Sequence, residues 1–145
     1  MMEQALSCVL LADRHHGLTE GIRGLLETTF GTVVMVADET SLLEGAGRLK
    51  PDVAVVDLSL ARDRSLGWLK ALRNRCPGLK VIVLSVHDEP NVRRAAQEAG
   101  ADAFVLKRAI VTDLLPAVDR LRGGTGPEAA EDVGAPISAG EAEKE

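Results

Sequence analysis

Residues 51–60 read PDVAVVDLSL, and the meaning of this stretch decides the fold. Val53 to Val56 is a short valine-rich run with no polar alternation, opened by Pro51 and closed by Asp57. A strand that is apolar on both faces must be covered on both faces, as interior strands of parallel sheets are. Four other runs share this character: Cys8 to Leu11, Val33 to Val36, Val81 to Leu84 and Ala103 to Leu106. Each run is followed by residues with helical periodicity. Leu18, Ile22, Leu25 and Leu26 lie at i, i+4, i+7 and i+8, along one helix face. Leu42, Leu43, Ala46 and Leu49 mark a second helix, and Leu66, Leu69 and Leu72 a third. Val92, Ala95, Ala96 and Ala99 mark a fourth, and Leu114, Leu115, Val118 and Leu121 a fifth. Gly31, Pro51, Pro77-Gly78 and Gly100 fall between a helical pattern and the next strand, where chain breakers belong. The expected fold is therefore α/β: a (βα)5 doubly wound, parallel, five-stranded sheet of flavodoxin-like type, with strand order 2-1-3-4-5.

With 145 residues, 46% of them hydrophobic, the chain has material for one core and too little for two ordinary domains. No apolar run approaches the roughly 20 residues that span a bilayer. The start, MMEQALSCVLLADRHH, lacks the basic opening and small-residue cleavage site of a secretory signal, so a cytoplasmic protein is expected. Cys8 and Cys76 read as reduced thiols, not as a disulfide or a metal pair. The net charge of −5 is unevenly placed. Residues 1–122 balance 16 basic against 16 acidic side chains, whereas residues 123–145 set six acids against Lys144, among five glycines and two prolines. Such a tail buries too little apolar surface to offset its ordering entropy, so a domain over 1–122 and a disordered acidic tail over 123–145 are expected. The absence of a basic stripe argues against nucleic acid as a direct partner, and the length leaves no room for a helix-turn-helix output domain.

Open parallel sheets bind ligands at the carboxyl ends of their strands, near the point where strand order reverses. The residues there are Asp13 and Arg14 after strand 1, Asp57 after strand 3, Ser85 after strand 4 and Lys107 after strand 5. Asp38 and Glu39 follow strand 2, which the expected order puts at the sheet edge, outside this constellation. His15 and His16 are adjacent and cannot share a helix face as a metal pair at i, i+4 would, so both read as loop residues. Trp68 reads as a packing residue of the third helix.

Three segments carry a more specific signal: VLLADRHHGLTEGIRGLLE (9–27), PDVAVVDLSLARDRSLGWLKALR (51–73) and VIVLSVHDEPNVRRAAQEAGADAFVLKRA (81–109). With their spacings, they resemble the receiver domain of two-component response regulators, in particular the subgroup usually fused to a helix-turn-helix. The resemblance covers roughly residues 6–122 and implies a non-enzymatic phosphoprotein of a phosphorelay. It implies that Asp57 accepts a phosphoryl group from a sensor histidine kinase, a phosphotransfer protein or a small phosphodonor. A carboxylate suits that task because it is ionised at neutral pH and needs no general base. Lys107 and Ser85 match the residues that hold phosphoryl oxygens, and Phe104 matches an aromatic that changes rotamer with Ser85. The resemblance also implies an output face on the fourth and fifth helices and strand 5, here including Val92, Arg93, Arg94, Ala109 and Ile110. That face would dock a downstream protein, and a homodimer is among the assemblies it allows.

One departure limits the likeness. Receivers usually carry two adjacent acids after strand 1, the second of which ligates Mg²⁺, but here Arg14 follows Asp13. The implied metal ligands are Asp13, Asp57 and the carbonyl of Ser59, with waters completing an octahedron. Asp13, Asp57, Arg14 and Lys107 already sum to zero charge, so weak or absent Mg²⁺ binding is expected. Arg14 is expected either to form a salt bridge with Asp57 or to clamp phosphoryl oxygens. Ala61-Arg62 stands where the family usually has Pro-Gly, and Val86 follows Ser85 where a smaller residue is common, narrowing access to Asp57. A phosphorylation-independent interaction module is the alternative reading. A flavodoxin-like cofactor binder is disfavoured by the lack of a Ser/Thr-rich phosphate loop and of aromatics to stack on a flavin.

Overall fold

The computed structural model of the chain describes residues 7–61 and 65–121, apart from the side chains of residues 16–19. The expected tail, Arg62 and the side chains of Leu18 and His16 lie outside the described residues. Five parallel strands pair in the order β2-β1-β3-β4-β5. They are β1 (Cys8–Ala12), β2 (Thr32–Val36), β3 (Val53–Asp57), β4 (Lys80–Ser85) and β5 (Ala103–Leu106). Between and after them run α1 (His16–Leu26), α2 (Glu39–Leu49), α3 (Gly67–Arg75), α4 (Pro90–Ala99) and α5 (Ile110–Leu121). The (βα)5 order and the strand arrangement are those expected from the sequence.

The valine-rich strands are apolar throughout because successive side chains enter two different cores. Leu10, Ala54, Val56, Val81 and Val83 meet Leu42 and Ala46 of α2, Trp68, Leu69 and Leu72 of α3, and Ala96 of α4. Their chain neighbours Val9, Val55, Ile82 and Leu84 meet Ile22 and Leu26 of α1 and Leu114 and Val118 of α5. Trp68 is buried, as a packing residue should be. Two expected inward positions turn out: Leu49 is 41% exposed at the end of α2, and Ala95 faces solvent. At the end of α4, Gly100 takes φ +120°, and a Cβ there would meet the Arg73 side chain at 2.6 Å.

As expected of the edge, the end of β2 stays out of the cleft. Asp38 instead caps α2, accepting the Ser41 N–H at 2.7 Å, and that bond holds its carboxyl below the ordinary value. Such a group stabilises fully above its unfolded pKa and loses the contribution as pH falls through its lowered folded value. Asp38→Ala should therefore lower the melting temperature at neutral pH, with the deficit vanishing in acid. In the core, Leu72→Ala should cost about 3 kcal/mol by urea unfolding, with the slope unchanged.

Candidate functional site

The register sets the site, because Asp57 ends β3 opposite Leu84 of β4 while β1 ends one residue before Asp13. Asp13, Asp57 and Ser85 are all buried at this end of the sheet. A carboxylate loses much of its hydration there and needs charged or hydrogen-bonding partners. Lys107, in the 3-10 turn after β5, supplies them: its Nζ lies 3.0 Å from Asp57 Oδ1 and 3.3 Å from Asp13 Oδ2. The constellation of Asp13, Asp57, Ser85 and Lys107 thus assembles as the strand order requires.

The second oxygen of each carboxylate is also engaged. Ser59 Oγ donates to Asp57 Oδ2 from the 3-10 turn Leu58–Leu60. The backbone N–H of His15 donates to Asp13 Oδ1 at 2.9 Å, closing an Asx turn. That turn brings His15 Nδ1 to 3.2 Å from Asp13 Oδ1 and 3.8 Å from Asp57 Oδ2. His15 is thus a loop residue, as read from the sequence, and its exposed side chain borders the cleft, which that reading did not anticipate. Adjacency to His16 has no bearing on that contact, since His15 precedes the helix and pairs with Asp13. The Asp-x-His spacing at a strand-to-helix junction was the available signal.

Arg14 corrects an expectation. Among the described residues it makes no ion pair with Asp57; its Nη1 donates instead to the Ser59 carbonyl at 3.2 Å. Lys107 is the cation that Asp57 pairs with most closely, and the guanidinium reaches past both toward the backbone of the next loop. Its bond falls on the carbonyl expected to ligate Mg²⁺. Ser85 Oγ accepts the His87 N–H at 2.8 Å and donates to the His87 carbonyl at 3.2 Å, so its hydroxyl serves its own loop in this state. Phe104 is buried beneath Arg93, whose guanidinium carbon lies 4.6 Å from the ring centroid.

Above Asp57 and Lys107 opens a cavity of about 370 Å³ with apolar walls from Leu58, Leu66, Val86, Val92 and Ala95. Val86 forms part of its rim and is 67% exposed. On the expected output face, Ile110 is buried in the core, so it does not belong there; Val111, 81% exposed, projects outward instead. Ile110 stands four residues before Leu114 and so shares the buried face of α5 with Leu114 and Val118, which the periodicity placed correctly and the resemblance did not. Cys8 and Cys76 are free thiols, as expected. No helix among the described residues is long and apolar enough to cross a membrane.

A 2-1-3-4-5 sheet with buried aspartates after β1 and β3 and a lysine after β5 defines a receiver of the two-component type. Residues 9–119 match the response regulator receiver domain, and the chain belongs to that family. It is 34% identical over 112 residues to the nitrate/nitrite response regulator protein NarP of Escherichia coli, covering 76% of this chain and 52% of that protein. The isolated receiver of RcsB from Salmonella enterica serovar Typhimurium, solved with the phosphomimetic BeF3⁻, is 29% identical with a TM-score of 0.72, covering 88% of this chain and 97% of that one. A Burkholderia pseudomallei response regulator, solved with a phosphorylated aspartic acid and a calcium ion, is 25% identical with a TM-score of 0.71, covering 94% and 73%. The chain spans between 52% and 64% of the length of the first curated relatives it matches. Receivers of this family generally bind Mg²⁺ at an acidic site, and here the corresponding place holds Asp13, His15 and Asp57.

Lys107→Met leaves two buried carboxylates without their cation and should cost about 3 kcal/mol in urea unfolding. Adding Asp13→Asn should recover part of that loss, because one of the two opposed charges is then gone.

Proposed function

We propose that this chain is a phosphorelay receiver that accepts a phosphoryl group at Asp57 and signals through protein contacts, as an acceptor and not as an enzyme. The observation that carries this reading is the Lys107 ion pair, with Nζ 3.0 Å from Asp57 Oδ1, at the floor of an open cavity that both residues line. The donor is a phosphohistidine of a sensor kinase or phosphotransfer protein, in the cytoplasm. The N–P bond breaks with its electron pair left on the departing imidazole, and an Asp57 oxygen forms the new bond to phosphorus. Lys107 stays on the phosphoryl group, and Ser85 exchanges the His87 carbonyl for a phosphoryl oxygen. The relative solved with a phosphorylated aspartic acid supports the reading.

The donor set is a poor match for Mg²⁺, which demands near-octahedral oxygen ligation. The second acid is absent, and the Ser59 carbonyl already accepts from Arg14. The protein's own cations, Lys107 and Arg14, supply the charge that Mg²⁺ supplies elsewhere, so phosphorylation is slow and weakly dependent on Mg²⁺. The same Arg14–Ser59 bond favours the second reading, a module that docks partners without phosphorylation.

Incubation with acetyl phosphate should add the mass of one phosphoryl group, and Asp57→Asn should abolish the adduct. No adduct with acetyl phosphate or with any histidine kinase would leave the phosphorylation-independent module. Arg14→Asp should raise Mg²⁺ affinity by about tenfold or more in titration calorimetry; unchanged affinity would refute the role given to Arg14.

A further inference from the structure

We infer that the cavity above Asp57 is a binding site for an uncharged, largely apolar small molecule that carries a carbonyl oxygen. Its volume of about 370 Å³ lies within the range of small-molecule pockets, which are mostly apolar with a few convergent polar groups. Leu58 comes from the turn after β3, Leu66 from the residue that precedes α3, Val86 from the loop after β4, and Val92 and Ala95 from α4. Two of these apolar residues are left open to solvent. Val86 is 67% exposed, and Ala95 is exposed although it belongs to the apolar stripe of its helix. Scattered apolar side chains on a surface need no explanation, but these gather around one concavity and form a binding wall. Val86 also sets this chain apart, since a smaller residue is common there in its family and the valine adds to the apolar wall.

Charge and hydrogen bonding restrict the occupant. At this end of the sheet Asp13, Asp57, Arg14 and Lys107 sum to zero, so a net charge on the ligand would lose its hydration without gaining a counter-charge. Lys107 lines the cavity, and its ammonium carries three N–H donors for two carboxylate partners, Asp13 and Asp57. The remaining donor suits a neutral acceptor such as a ketone, ester or amide oxygen. Ser85 keeps its hydroxyl on the His87 backbone, which leaves the polar end of the cavity to Lys107 and to Asn91 at the start of α4. The volume exceeds that of any single side chain, so one inserted residue of a partner protein would leave much of it empty. A small molecule fills it from floor to rim.

A ligand so placed covers Asp57 and blocks a phosphodonor; that consequence rests on the function proposed above, whereas binding itself does not. The test is a fluorescence titration of the full chain with prodan, a neutral naphthyl ketone whose emission shifts to the blue in apolar surroundings. A saturable blue shift is expected. Naphthyl methyl ketone should displace the dye, and naphthoate, of similar shape with a negative charge, should bind about tenfold more weakly or worse. Ala95→Phe fills the cavity and should weaken prodan by about tenfold or more, with circular dichroism separating loss of the cavity from loss of the fold. Val86→Glu, at an exposed rim position, should weaken the dye likewise. Val111→Asp, at an exposed apolar residue outside the cavity, should bind as the parent does. Absence of a saturable shift, equal affinity in the folded Ala95→Phe and Val86→Glu variants, or equal displacement by naphthoate would overturn the site. So would prodan binding that weakens as protein concentration rises, because a second copy of the chain would then be the occupant. These outcomes hold independently of the phosphorylation assay.

Discussion

The ammonium of Lys107, shared between Asp13 and Asp57, is the interaction on which the rest of the site depends. Two buried carboxylates a few ångströms apart repel each other and lose hydration, and neither cost is met by the apolar cores on either side of the sheet. The lysine meets both at once, but only if the ends of β1, β3 and β5 converge. The 2-1-3-4-5 order achieves this, and the continuous apolar strands make that order stable by giving each sheet face its own layer of helices. Fold and site are thus one electrostatic arrangement: the sheet brings the charges together, and the lysine makes their burial tolerable.

Around that core, the surroundings have been rebuilt with cations and donors. Arg14 stands where an acid usually would and reaches the Ser59 carbonyl; Ser59 gives its hydroxyl to Asp57; His15 folds back through an Asx turn onto Asp13. Three groups that would otherwise turn toward a hard metal ion are engaged by the protein itself. The cleft keeps the shape of a receiver while its charge is balanced internally. That difference separates this chain from the usual pattern of its family more than any change in its fold.

The elements and the acidic pair were legible in the sequence because both follow from position. Valine-rich runs without alternation admit few arrangements other than a covered parallel sheet, and topology fixes which strand ends meet. Asp57 and Lys107 could therefore be placed before any contact was known. Arg14 could be recognised as a departure, but its partner could not: the direction of the Ser59 carbonyl depends on the 3-10 turn at Leu58–Leu60, which no periodicity encodes. The exchange of Ile110 for Val111 on the outer face has another origin: the face was carried over from the resemblance, whereas the spacing of Ile110 to Leu114 already places Ile110 on the buried side of α5. Asp102 went unread because its task is purely tertiary; it accepts the Val81 N–H at 2.8 Å and pairs with Arg73, tying β4 to the α3 side.

The central claim is that protein cations, and not Mg²⁺, provide the charge at Asp57. Its most direct test is the initial rate of phosphoryl incorporation at Asp57 from acetyl phosphate, measured from chelator-treated protein up to saturating Mg²⁺. The expected result is a slow rate that is present under chelation and changes little as Mg²⁺ rises. A rate that is absent under chelation and climbs to saturation with Mg²⁺ would contradict it.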